Sequence, residues 1–281
     1  MPTIIEPDIC VIGAGSAGLS IAAGASQMGA ETVLIEKGRM GGDCLNYGCI
    51  PSKSLLVAAK AAHAHARASR LGLRGAAPEV DFAAVAAHVH GVIDAIAPQD
   101  SVERFEGLGV RVIQATATFT GPREIVAGDV RIRARRFVIA TGAKPLVPPI
   151  PGLEAVPYLT NETIFDLTER PAHLIVIGGG PVGCELGQAF RLLGADVSIV
   201  EMASILPMDD PETVDVVRQR LRADGIEILE ATRVVRVAPA VGSMVGGLDG
   251  GIEVIVDSNA GGERGLHGSA LLLAAGRRPS V

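Results

Sequence analysis

Apolar residues fall in two rhythms along this chain, and the switches between them predict its elements. Short apolar runs at 8–12, 32–36, 137–140, 173–177 and 197–201 read as buried strands. Small-residue and alanine-rich stretches at 19–29, 55–70, 81–105 (interrupted near Pro98) and 184–193 read as helices, with a break at 71–80. A β pattern at 110–119, 124–126 and 130–133 predicts further strands. Pro145, Pro148, Pro149, Pro151 and Pro157 make 145–157 a stiff linker and a domain boundary.

Two of the strands run directly into glycine loops. The first is Gly13-Ala14-Gly15-Ser16-Ala17-Gly18, followed by a helix and a strand that ends in Glu36, with Lys37 next. In this pattern Gly13 makes the tight turn, Gly15 lets backbone meet a pyrophosphate, and Gly18 lets the helix pack on the strand. The helix N-terminus faces the phosphates, and Glu36 can accept from an adenosine ribose hydroxyl. The same order recurs with Gly178-Gly179-Gly180-Pro181-Val182-Gly183 and Glu201. The duplication extends to Ala140-Thr141-Gly142-Ala143-Lys144-Pro145, echoed by Ala274-Ala275-Gly276-Arg277-Arg278-Pro279. The expected fold is α/β, with two Rossmann-like nucleotide-binding domains.

Composition narrows the function. At 281 residues there is room for two cores. A net charge of −6 supplies no basic surface for nucleic acid or anionic lipid, and the scarcity of aromatics (3%) removes stacking platforms for single strands. Neither a basic leader nor an unbroken apolar span is present in the first residues, where glycines at 13, 15, 18, 24 and 29 interrupt the pattern. The expectation is a cytoplasmic protein away from membranes. His63/His65 and His88/His90 stand two apart on predicted helices and point roughly 200° apart, so neither couplet chelates a metal; they read as solvated.

Four cysteines are too few for a secreted disulfide framework. Cys10 and Cys184 sit in apolar elements and read as core. Cys44 and Cys49 differ: they lie in Gly-Gly-Asp-Cys-Leu-Asn-Tyr-Gly-Cys-Ile-Pro-Ser-Lys (41–53), spaced to close a small disulfide loop. Pro51, Ser52 and Lys53 read as a first helical turn, whose free N–H groups and dipole favour a thiolate. Gly48 lets something flat approach Cys49.

These motifs resemble the pyridine nucleotide–disulfide oxidoreductases, the family of dihydrolipoyl dehydrogenase, mercuric reductase and glutathione reductase. The resemblance implies three-layer ββα domains: an FAD-binding domain at 1–149 with the redox-active disulfide, an inserted NAD(P)-binding domain at 150–270, and a return to the FAD domain at 271–281. It implies FAD at 13–18, with Gly42, Asp43, Ala117, Ala140, Thr141 and Gly142 among the contacts, and a nicotinamide nucleotide at 178–183, contacted also by Val234 and Gly276. By the same resemblance Cys49 touches the flavin, Cys44 exchanges with substrate, and Lys53 lies near flavin N5, paired with Glu185. Hydride would pass from NAD(P)H to the flavin and on to the Cys44–Cys49 disulfide, whose thiolates reduce a small-molecule or protein-bound disulfide or another acceptor. Dihydrolipoyl dehydrogenase runs that cycle backwards.

Several residues qualify the resemblance. Glu201 would accept from the free ribose 2′-OH of NAD and repel the 2′-phosphate of NADP, and Met202 and Ala203 supply no arginine, so NAD(H) is expected over NADP(H). Asp43 stands where many members carry Thr, and Pro181 where several carry an aromatic gate. The sequence reads as an N-terminal fragment: the family continues with a Gly-Asp segment on FAD and a dimerisation domain whose His-Glu pair serves the partner subunit. His267, in a predicted turn, is no substitute. A full-length form is expected to be a homodimer, whereas the fragment would turn over poorly. Lipoamide, glutathione-like disulfides, Hg(II) and quinones stay open as acceptors. The alternative class is a nucleotide-binding module without turnover.

Overall fold

The computed structural model describes residues 3–68, 72, 79–240, 251–258 and 261–280. They divide into two compact units, one of Met1–Pro51, His90–Lys144 and Pro279–Val281, the other of Ser52–Val89 and Pro145–Arg278. The predicted break at 71–80 lies mostly outside the described residues.

The first unit opens with β1 (Thr3–Ile5), β2 (Ile9–Ile12), α1 (Ser16–Gln27) and β3 (Thr32–Glu36). A short α2 (Gly42–Tyr47) precedes α3 (Cys49–Ala68), which belongs to the second unit from Ser52 onward, as does α4 (Phe82–Ile96) up to Val89; α4 and α5 (Val102–Gly107) flank a 3₁₀ turn. Then come β4 (Val110–Gln114), β5 (Ala117–Gly121), β6 (Glu124–Ala127), β7 (Val130–Ile132), β8 (Arg136–Ile139) and, at the junction with the second unit, β9 (Ala143–Pro145). A parallel sheet in the order β4-β3-β2-β8 faces a second sheet, β1-β7-β6-β5. The period-2 alternation of the strands explains the layering. Cys10, Val33 and Ile35 turn toward Ile125, Ala127 and Ile132 of the second sheet. Val11 and Leu34 turn the other way, onto Leu19 and Ala22 of α1 and Phe105 of α5. Each Val, Leu, Ile or Phe among these, fully buried, contributes about 1.5–3 kcal/mol. The result is sheet, sheet and helix: the ββα sandwich.

The second unit repeats the plan. Strand β10 (His173–Ile177), α6 (Pro181–Leu192), β11 (Asp196–Val200), α7 (Pro211–Ala223) and β12 (Glu227–Leu229) are followed by the antiparallel β13 (Thr232–Pro239), β14 (Ile252–Ser258) and β15 (Gly262–Gly268), then β16 (Ala270–Leu273) and β17 (Arg277–Pro279). The parallel sheet runs β12-β11-β10-β16 and the other β13-β14-β15. Between them Ile175, Ile177, Val200, Leu271 and Leu273 meet Val237, Val254, Val256 and Leu266. On the opposite face α6 approaches closely: a Cβ at Gly187 would lie 3.2 Å from Ile199.

Four expectations need correction. The single strand at 110–119 is two, β4 and β5, in different sheets, because the chain must cross between layers at 115–116. Both helices after the glycine loops start earlier, at Ser16 and Pro181, so Gly18 and Gly183 are helical. His267 is not in a turn but on β15, opposite Glu253 of β14. The glycines there read as a turn, yet the alternating Ile252, Val254 and Val256 of β14 recruit the segment as a strand and bury Leu266. His63 is not simply solvated: its Nε2 lies 2.8 Å from an Arg220 amino group and 3.8 Å from an Asp224 carboxylate oxygen. His88 and His90 are exposed, and the side chain of His65 lies outside the described residues. Among the described residues no three His, Cys, Asp or Glu side chains gather where they could hold a metal, and no helix is long and apolar enough to cross a membrane.

Candidate functional site

Cys44 projects from the short α2, and Cys49 is the first residue of α3. Gly48 joins the helices at φ −134°, ψ −114°. This joint turns the chain back within five residues and brings the two thiols into hydrogen-bonding contact; the Ser16 hydroxyl of α1 also reaches Cys44. Burial first, and then the neighbouring Cys49 thiol, pushes the Cys44 thiol above the ordinary range, while Ser16 pulls it down. Of the two cysteines, Cys49 is exposed and Cys44 half-buried. Two thiols in contact, one open to solvent, are equipped for thiol–disulfide exchange. Cys10 and Cys184 behave as core residues, their thiols pushed up by burial to about 12 and about 11.

One turn further along α3, the Lys53 ammonium and the Ser52 hydroxyl both donate to the same oxygen of Glu185 on α6, Ser52 at 3.1 Å. Lys53 remains 63% exposed and Glu185 26%. The pair is positioned by two helices rather than by loops, which fixes a mobile lysine in one place.

The two glycine loops have the same geometry. Gly13 and Gly178 have φ of +106° and +113°. A Cβ on either would meet a backbone oxygen, that of Ala140 at 2.2 Å or that of Ala274 at 2.3 Å. Only glycine satisfies both constraints. Ala140 donates to Ile12 and Ala274 to Ile177, each at 2.8 Å, so the echoed segments occupy matching places. Glu36 accepts from the N–H groups of Ala14 and Gly38, each at 2.7 Å. Glu201 accepts from Gly179 at 2.8 Å and Ala203 at 2.9 Å. No side chain caps α1 or α6, so the helix-end N–H groups remain for an anion.

The remaining sequence candidates distribute between the units. In the first, Ser16 and Ala17 form the first turn of α1, and Lys37 is exposed beyond β3. Gly42 (φ +55°) comes so close that a Cβ there would lie 2.6 Å from the Gly15 Cα. Asp43 lies in the first turn of α2, Ala117 begins β5, and Thr141 and Gly142 follow β8. In the second unit, Gly180 caps α6, Pro181 and Val182 start it, and Gly276 accepts from Leu146 at 3.0 Å. Val234 sits at a bulge in β13. The sequence reading missed the backbone partners of the two carboxylates. The signal was there, since Gly38 and Ala203 each stand two places beyond their glutamate.

A family model described as pyridine nucleotide-disulphide oxidoreductase matches residues 7–281. The chain is 32% identical over 275 residues to a mercuric reductase of Lysinibacillus sphaericus, covering 98% of this chain and 49% of that protein. It is 34% identical over 281 residues to a dihydrolipoyl dehydrogenase of Thermus scotoductus, covering 97% and 57%. Among solved structures, the HOCl-induced flavoprotein disulfide reductase RclA from Escherichia coli superposes with a TM-score of 0.78 at 28% identity, covering 97% of this chain and 57% of that one. The chain thus spans about half the length of the curated relatives it matches. With its duplicated glycine loops and its contacting thiols, it belongs to the pyridine nucleotide–disulphide oxidoreductase family.

Proposed function

We propose that this chain is the cofactor-binding and dithiol-bearing part of an FAD-dependent oxidoreductase that moves electrons between NAD(H) and a disulfide or related acceptor. The observation that carries the reading is the contact between Cys44 and Ser16. It sets the thiol pair against the first turn after the first glycine loop, where a dinucleotide would be held.

The residues fit FAD. The α1 N-terminus has unclaimed N–H groups for a pyrophosphate, glycines keep the approach at Gly15 and Gly42 free of side chains, and Glu36 keeps lone pairs for a ribose. Ser16, Ala17, Gly18, Lys37, Asp43, Gly48, Ala117, Ala140, Thr141 and Gly142 complete the proposed contacts. Bound there, FAD would supply hydride acceptance and two-electron transfer to the sulfur pair. Gly178, Gly180, Pro181, Val182, Gly183, Glu201, Val234 and Gly276 would take the nicotinamide nucleotide, and Glu201 would favour NAD over NADP.

The side chains have separable tasks. Cys49 is the sulfur assigned to the flavin side and Cys44 the one that attacks or leaves the acceptor. The raised Cys44 thiol keeps its proton at neutral pH, so it needs a base to become a nucleophile. Lys53, which donates to Glu185, would by the family resemblance lend a positive charge to the electron-accepting end of the flavin. Relatives named mercuric reductase and dihydrolipoyl dehydrogenase point to two acceptor classes, thiophilic Hg(II) and a dithiol/disulfide, both served through Cys44. We further propose that the whole protein acts in the cytoplasm as a homodimer, and that the domain limits are 1–149, 150–270 and 271–281.

The test is cofactor binding. FAD titrated into the purified chain should bind stoichiometrically, with its fluorescence altered, and Gly13→Val should abolish this. Absence of FAD binding, with nicotinamide nucleotide still bound, would favour a nucleotide-binding module without turnover.

A further inference from the structure

We infer that Glu230 is a positioning residue for nucleotide selection: it fixes the loop that carries Glu201, and thereby sets the preference for NAD over NADP. The inference rests on the reading of Glu201 given above.

The loop at 201–206 leaves β11 and is tied down on two sides. Toward the glycine loop, Gly179 donates to Glu201 at 2.8 Å and accepts from Leu206 at 2.9 Å. The Ile205 side chain is fully buried beneath it, so close that a Cβ on Gly179 would lie 2.8 Å from Ile205. On the far side the backbone is zipped to 229–232. Glu201 donates to Leu229 at 2.8 Å, Thr232 donates to Glu201 at 3.0 Å, and Ala231 donates to Ala203 at 2.8 Å.

The N–H of Ile205 lies between these ties and is met by a side chain, the Glu230 carboxylate at 2.9 Å. That carboxylate is itself fixed by a two-pronged Arg218 guanidinium on α7, at 2.9 and 3.0 Å. Both side chains are largely buried. Leu206 (φ +48°) and Ala231 (φ +50°) on either side of the junction hold left-handed conformations without being glycine. Such backbone persists only where surrounding bonds over-determine it. Glu230 is one of those bonds.

Discrimination between a 2′-hydroxyl and a 2′-phosphate depends on a carboxylate that cannot move aside. Both Glu201 oxygens are already held, one by Gly179 and one by Ala203 inside the loop. Loosening the loop at Ile205 frees the Ala203 side, and Glu201 can then yield to a phosphate.

Calorimetric Kd values for NAD+ and NADP+ on the full 281-residue chain test this, together with amide hydrogen exchange at Ile205. Wild type should prefer NAD+. Glu230→Ala should cut that preference about tenfold, the scale of one lost hydrogen bond to a charged group. Glu230→Gln, which still accepts from Ile205, should retain most of it. Arg218→Met, a milder change should Glu230→Ala not fold, should shift the ratio in the same direction. The Ile205 amide should be protected in wild type and Glu230→Gln. An unchanged ratio in the folded variants, or equal weakening of both nucleotides, marks a merely structural role and overturns the inference. An unprotected Ile205 amide in wild type overturns it too. Wild type that prefers NADP+ overturns the Glu201 reading, and this one with it.

Discussion

Glu36 and Glu201 make the same bond in two different sheets: Glu36 accepts from Ala14 at 2.7 Å and Glu201 from Gly179 at 2.8 Å, each the second residue of its glycine loop. Each carboxylate therefore serves its loop as well as any ribose. Glu36→Gln is expected to weaken FAD binding and leave NADH binding alone, whereas Glu201→Gln narrows the preference for NADH over NADPH. Paired fluorescence titrations of each variant check this; loss of both ligands in either variant would contradict it.

The glycines that shape these loops should be intolerant in a ligand-specific way. Gly13→Ala and Gly178→Ala each put a Cβ against a backbone oxygen at a positive φ, with a cost of about 2 kcal/mol or more. Gly13→Ala should lose FAD, and Gly178→Ala the nicotinamide nucleotide. Chemical denaturation gives the stability cost and calorimetry the ligand.

The Lys53–Glu185 pair should matter for electron transfer and little for folding. Because Lys53 is 63% exposed, solvent screens the pair, and Glu185→Gln should change stability by less than about 1 kcal/mol. Stopped-flow reduction by NADH of the FAD-loaded chain should nevertheless slow. A large drop in melting temperature with an unchanged rate would reverse the assignment.

The thiols give two pH predictions. Cys49, exposed, should alkylate first near neutral pH, and Cys44, whose thiol burial holds above the ordinary range, should lag until the solution is more alkaline. Mass spectrometry of timed iodoacetamide reactions reads both. For stability, Cys10 and Cys184 are raised by burial to about 12 and about 11 from an ordinary value of 9.0. The folded state therefore binds these protons more tightly than the unfolded one. Their contribution is complete below about pH 9 and is lost as pH rises toward 11 and 12. Cys184→Ala should flatten that alkaline decline, measured by urea melts at stepped pH.

The sequence discloses the parts of this molecule that rest on local rules. Strands β2 and β10 were legible because apolar runs meet glycines held at strongly positive φ, β3 and β11 because apolar runs end in an acid, and the repetition of the whole pattern doubled the signal. The ββα layering followed from the resemblance. Long-range bonding was not legible. His267 lies in a strand because β14 supplies an apolar face that its own glycine-rich segment lacks. His63 meets Arg220 only through tertiary contact of α3 with α7. The bonds of Glu36 with Ala14, Glu201 with Gly179 and Glu230 with Ile205 join segments 22 or 25 residues apart, which no periodicity encodes.

The central claim, that electrons from NADH reach the Cys44–Cys49 pair through FAD, is tested most directly by counting thiols. The chain is loaded with FAD, oxidised at that pair, and treated anaerobically with NADH, and newly titratable thiols are measured under denaturing conditions. The account predicts two new thiols per chain, and none in Cys44→Ser. NADH consumed by the FAD-loaded wild type with no new thiols would contradict it.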